Sequence, residues 1–153
     1  MKIDDVELLE QKLGYTFKNK DLLHRALTHK TYAFEAKSAL EFNERLEFLG
    51  DSILNFVVAE HLYNSNKYFS EGELTRRRAN RVNNTYLADR AEELELGKFL
   101  LLGKGEKKQN GATNRTNLAN ALEAIIGAIY LDAGLDTAKG FIAEKVIPLP
   151  FQL

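Results

Sequence analysis

Apolar residues in this chain recur at three- and four-residue intervals, with no strictly alternating run, so the pattern predicts helices and no strands. Val6–Leu13 reads as a short amphipathic helix stopped by Gly14, and Lys20–Leu27 as a second. Residues 33–41 mix Ala, Glu, Lys and Ser without a clear period and predict a loop. A long helix follows, over about Glu41–Asn64. Beyond Asp51 it is apolar nearly all round (Ile53, Leu54, Phe56, Val57, Val58, Ala59, Leu62), which predicts burial. Ser70-Glu71-Gly72-Glu73 has capping-box spacing and starts a helix through Arg81. Asn84 is expected to cap a helix through Leu96, closed by Gly97, and Leu100–Asn114 reads as a mobile basic loop. Another almost continuous apolar helix begins near Asn117 and ends at Gly134. Asp136 is then expected to cap a last helix that Pro148 stops. With no repeat or low-complexity tract, an all-α single domain follows.

The polar positions inside the two apolar helices change the picture. Glu44, Glu47 and Asp51 are spaced by three and four residues, which at roughly 100° per residue puts them on one face within about 60° of each other. Leu46, Leu49, Ile53, Phe56 and Val57 take the opposite face. Three carboxylates at the mouth of a buried helix repel one another and lose hydration, so the cluster asks for a hard cation with oxygen ligands. In the second helix, Asn120 and Glu123 share a face one turn apart, with Gly127 on the same side to admit a close neighbour. Two such helices can face each other and pool their oxygens. Phe48, an apolar ring beside the acids, points to a partner surface.

Composition narrows the class. The chain has 153 residues, enough for one domain with a substantial core. It has no Cys, which excludes disulfides and thiolate metal sites and is compatible with a reducing cytosol. His24, His29 and His61 show no ligand spacing for zinc. No stretch is apolar enough to span a bilayer, and the acidic start is unlike a secretion signal, so a cytoplasmic protein without membrane association is expected. Net charge is only −1, but its distribution is uneven. Arg76, Arg77, Arg78 and Arg81 crowd together, and Lys104, Lys107, Lys108 and Arg115 form a second basic cluster.

Four segments in order carry a family resemblance. Asn43-Glu44-Arg45-Leu46-Glu47-Phe48-Leu49-Gly50-Asp51-Ser52 resembles the signature helix of the ribonuclease III family. Leu118–Asp132 resembles that family's second acidic helix, and Glu71-Gly72-Glu73-Leu74-Thr75-Arg76-Arg77-Arg78-Ala79 and Leu13-Gly14-Tyr15-Thr16-Phe17 with Leu23 to Thr31 fit as well. The resemblance implies the endonuclease domain of the bacterial long form, a two-fold homodimer with Phe48 inserted into the partner. It implies hydrolysis of double-stranded RNA to 5′-phosphate and 3′-hydroxyl ends with short 3′ overhangs, in ribosomal and messenger RNA processing. Mg²⁺ is the implied metal, with Mn²⁺ as a substitute and no small-molecule cofactor. Glu47 and Glu123 are implied ligands, joined by Asn120 and Asp51, with Asp51 also orienting the water. Glu44 and Glu71 stand where the family has further acids linked to metal or subunit contacts. Thr75, Arg76 and Arg78 stand where the family touches the RNA backbone, and Lys104, Lys107 and Lys108 can track a phosphate strand.

This chain departs from the pattern at Asn120, where the family carries Asp. An amide keeps an oxygen ligand but removes one negative charge, so weaker Mg²⁺ binding is expected. The alternative function is accordingly a catalytically impaired module for RNA binding or dimerisation. No C-terminal double-stranded-RNA-binding domain is recognisable in residues 1–153, so the chain reads either as a catalytic-domain fragment or as a form that works without that module.

Overall fold

Two long helices, α4 (Glu44–Ser65) and α8 (Arg115–Ala133), organise the computed structural model, which describes residues 1–37 and 41–148. α8 is the central one. Every residue from Ala121 to Ile129 is buried, because small and branched apolar side chains cover almost its whole circumference. α4 crosses it at two glycines. A Cβ on Gly50 would run into the carbonyl oxygen of Glu123, and one on Gly127 into the carbonyl oxygen of Leu46. The two backbones therefore touch directly at this level, as only glycine permits.

The other helices pack around this pair. α1 (Ile3–Leu13) and α2 (Lys20–Leu27) bury Leu9, Leu13, Leu22, Leu23 and Leu27. α5 (Glu71–Val82) lies against α4, while α6 (Asn84–Glu93) and α9 (Leu135–Phe141) lie against α8. A π-helical turn over Ile142–Val146 closes the described chain. Among the described residues there is no strand, only an isolated bridge between Thr28 and Leu101, so the all-α expectation is met.

Polar groups fix the corners. Asp132 at the end of α8 accepts from the Tyr15 hydroxyl at 2.5 Å and from the N–H groups of Lys18 and Asn19 at 2.8 and 3.0 Å. Buried Asn43 donates its amide to the Ala26 carbonyl at 3.3 Å and its backbone N–H to Thr28 at 2.9 Å, anchoring the start of α4. Ser70 and Glu73 form the expected capping box of α5.

Several expectations from the pattern are corrected. The segment at 33–41 is not wholly loop. Its start belongs to α3 (Lys30–Glu35), which is capped by the His29 ring nitrogen; residues 38–40 lie outside the described residues. Asn83, not Asn84, caps α6, and α6 ends at Glu93, short of Leu96. Leu100–Asn114 contains α7 (Lys104–Lys108) and a 3₁₀ turn over Gly111–Thr113, and its entry is tied down by Thr31 Oγ1 and Glu35 Oε1, which accept from the N–H groups of Gly103 and Lys104. Asn114 caps α8, and Asp136 lies in the first turn of α9 without capping it. Phe56 is 48% exposed, so it does not join the buried face of α4.

Candidate active site

The crossing at Gly50 and Gly127 brings Glu47 and Asp51 of α4 to Asn120 and Glu123 of α8. Glu123 is 5% exposed, and burial pushes its carboxyl from an ordinary 4.5 up to about 9. A hydrogen bond with Asp51, the negative charge of Asp51 and that of Glu47 act in the same direction. Burial therefore favours the protonated form of Glu123, which can donate to Asp51. Glu47, half-buried, is also raised, first by burial and then by Glu44 and Asp51. The Asn120 amide, turned so that its nitrogen faces them, donates to Glu47 Oε1 and to the Thr116 carbonyl, each at 3.3 Å. Around these groups, Lys30 Nζ lies 3.6 Å from exposed Glu44. Asn55 Nδ2 lies 2.9 Å from the Asp51 carbonyl oxygen and 3.2 Å from Asp51 Oδ1.

Three carboxylates and one amide oxygen form the donor set that Mg²⁺ or Mn²⁺ takes, and a cation would offset the burial and the charge repulsion that favour a proton on Glu123. As they stand, the side chains satisfy one another. Among the described residues no three His, Cys, Asp or Glu side chains are spread as an open metal cage. The residues fit a hard divalent ion by chemistry, provided Glu123 releases its proton and the Asn120 amide turns its oxygen inward.

A family description of ribonuclease-III-like proteins matches residues 19–149. The chain belongs to the ribonuclease-III-like family. Within the family it is 46% identical over 141 residues to ribonuclease 3 of Bdellovibrio bacteriovorus, covering 92% of this chain and 60% of that protein. It is 48% identical over 145 residues to that of Oceanobacillus iheyensis, covering 94% and 64%. Against ribonuclease 3 of Pseudomonas aeruginosa the identity is 49% over 144 residues, covering 94% and 58%. The chain thus spans about three fifths of the length of these relatives. The nuclease domain of ribonuclease III from Campylobacter jejuni has a similar structure, with a TM-score of 0.87 and 42% identity over 100% of this chain and 99% of that one. Dicer from Pichia stipitis matches with a TM-score of 0.61 and 28% identity, covering 90% of this chain and 61% of that one.

The ribonuclease-III-like fold places the remaining candidates apart. Glu71 accepts from Thr75 Oγ1 at 3.1 Å and lines a cavity of about 480 Å³ with Arg78, Phe56 and Tyr63. That is the second half of α4, roughly 14–24 Å along the helix from Glu47 at 1.5 Å per residue, so within one protomer Glu71 does not join the carboxylates. Arg76 is exposed, while Arg77 stacks on Phe69 with its guanidinium carbon 4.1 Å from the ring centre. Lys104, Lys107 and Lys108 are exposed on α7. Arg115 leaves the basic cluster: it bonds Glu92, Asp89 and the Thr85 carbonyl, tying α8 to α6. Phe48 is 78% exposed beside a cavity of about 590 Å³ lined by Arg25, Glu41, Glu44, Leu46, Leu49 and Leu131. Sequence reasoning missed Lys30 and Asn55. Lys30 is brought to Glu44 only by folding, whereas Asn55 was legible as the i+4 neighbour of Asp51.

Proposed function

We propose that this chain is the catalytic domain, over residues 1–153, of an endoribonuclease that cuts double-stranded RNA with a divalent metal, working as a two-fold homodimer in the cytoplasm. The observation that carries the reading is the meeting of Glu47, Asp51, Asn120 and Glu123 where α4 and α8 touch. Bound there, Mg²⁺ or Mn²⁺ would neutralise phosphate charge and make a water nucleophilic near neutral pH. Glu47 and Glu123 would hold the ion, with the Asn120 oxygen as a neutral third donor. Asp51 orients the water for attack on phosphorus. Water adds as the bond from phosphorus to the 3′ oxygen breaks, leaving a 5′-phosphate and a 3′-hydroxyl.

Thr75, Arg76 and Arg78 reach the duplex backbone, and Lys104, Lys107 and Lys108 supply further positive charge; such contacts read shape and charge, not sequence. The exposed Phe48 and its adjoining cavity would meet their counterparts across a two-fold axis. In the dimer each of two sites cuts one strand, giving short 3′ overhangs, as in the processing of ribosomal and messenger RNA. Glu44 and Glu71 support the site through charge or subunit contact. The Asn120 amide donating to Glu47 favours a second reading, a module with impaired cleavage that retains RNA binding.

Incubation of duplex RNA, single-stranded RNA and duplex DNA with Mg²⁺ or Mn²⁺ separates these readings. Metal-dependent cleavage of duplex RNA alone supports the enzyme. Duplex binding without cleavage in either metal supports the impaired module, and binding to none of the three removes both.

A further inference from the structure

We propose that Asn55 is a positioning residue for Asp51, fixing which of its carboxylate oxygens faces the metal and water. The inference deepens the reading of the site given above and rests on Asp51 being part of it. Asn55 lies one helical turn beyond Asp51 and is half-buried. Its amide has two N–H groups. The amide nitrogen is within hydrogen-bond distance of the Asp51 backbone carbonyl oxygen, at 2.9 Å, and of Asp51 Oδ1, at 3.2 Å. The first bond anchors the amide to the helix itself. The second holds Oδ1 against the helix, while the Asp51 carboxyl also meets Glu123 across the crossing.

An exposed aspartate would otherwise sample several side-chain rotamers. Each productive encounter with a cation would then require ordering that carboxylate. Asn55 supplies the order in advance, as the outer partners of metal-binding carboxylates commonly do. The same bond is a poor stabiliser of the fold, because an i,i+4 pair on a helix surface contributes little. Its contribution is therefore separable from folding.

The test compares the unaltered chain with Asn55→Ala, Asn55→Ser and Asp51→Ala, measuring Mn²⁺ affinity by calorimetry, the melting temperature in chelator, and kcat and KM on duplex RNA. Asn55→Ala is expected to weaken Mn²⁺ by about ten-fold, the lower end for loss of such a partner. It should lower kcat with KM unchanged and leave the melting temperature in place, and Asn55→Ser, which restores a short donor, should recover part of the loss. If Asp51→Ala abolishes Mn²⁺ binding while Asn55→Ala leaves it intact, the positioning role is overturned and the site survives. If Asp51→Ala binds Mn²⁺ as the unaltered chain does, the reading of Asp51 fails and the role of Asn55 falls with it.

Discussion

At the level of single residues, Glu123 is held between burial and two other acids, so it carries either a proton or a share of a cation. Its carboxyl titrates near 9 in the folded chain, against an ordinary 4.5. Below about 4.5 folded and unfolded chains both hold the proton. Between 4.5 and 9 only the folded chain does, so metal-free stability falls as pH rises across that window and levels off above it. In chelator, the melting temperature of the unaltered chain should fall more steeply from pH 5 to 9 than that of Glu123→Gln; equal slopes would count against this titration. Asn120 makes the complementary prediction. Its N–H, with the amide so turned, faces Glu47 where an Asp side chain would place another anion. Asn120→Asp should tighten Mg²⁺ by on the order of ten-fold, consistent with one added charge-assisted ligand, and raise cleavage at low Mg²⁺. Equal rates for both proteins across a Mg²⁺ titration would remove Asn120 from the site.

At the level of helices, the site depends on how closely α4 and α8 approach. Gly50→Ala would drive a methyl group into the Glu123 carbonyl and force the helices apart. The expected cost is at least about 3 kcal/mol, at the upper end for overpacking, which at this size lowers Tm by on the order of 10 °C. An unchanged Tm in thermal unfolding would mean the helices do not cross at this glycine. Both long helices and the α5 capping box were legible in the sequence because their signals are local: periodicity, caps and glycines within one segment. What stayed hidden depends on distant partners. α3 is only six residues long and is anchored by its cap His29, whose own N–H donates to the distant Leu101 carbonyl. The segment at 100–114 looked mobile because its lysines and glycines dominate, yet Thr31 and Glu35, about 70 positions earlier, hold it. Arg115 read as a member of a basic cluster until folding delivered Asp89 and Glu92 to it. Spacing alone puts Glu47 with Asp51, and Asn120 with Glu123, on one helix face each; their choice as metal ligands came from the family resemblance.

For the molecule as a whole, Phe48, Phe56 and Tyr63 run along one side of α4 at 78%, 48% and 74% exposure, with Leu131 at 53% beyond Phe48. Apolar side chains gathered this way mark an interface more than a solvent-facing side. Phe48→Glu would place a charge in that contact, and light scattering should then report monomers where the unaltered chain is dimeric; a persisting dimer would refute the role of Phe48. The proposed enzyme stands or falls on a narrower point, whether the α4–α8 crossing holds a divalent ion. Anomalous diffraction from crystals grown in Mn²⁺ locates the ion directly. The expected result is a peak within bonding distance of Glu47, Glu123 and the Asn120 oxygen, with Asp51 oxygens bonded to the ion or to its water. A Mn²⁺ peak confined to other acids, with Glu123 still bonded to Asp51, would contradict it.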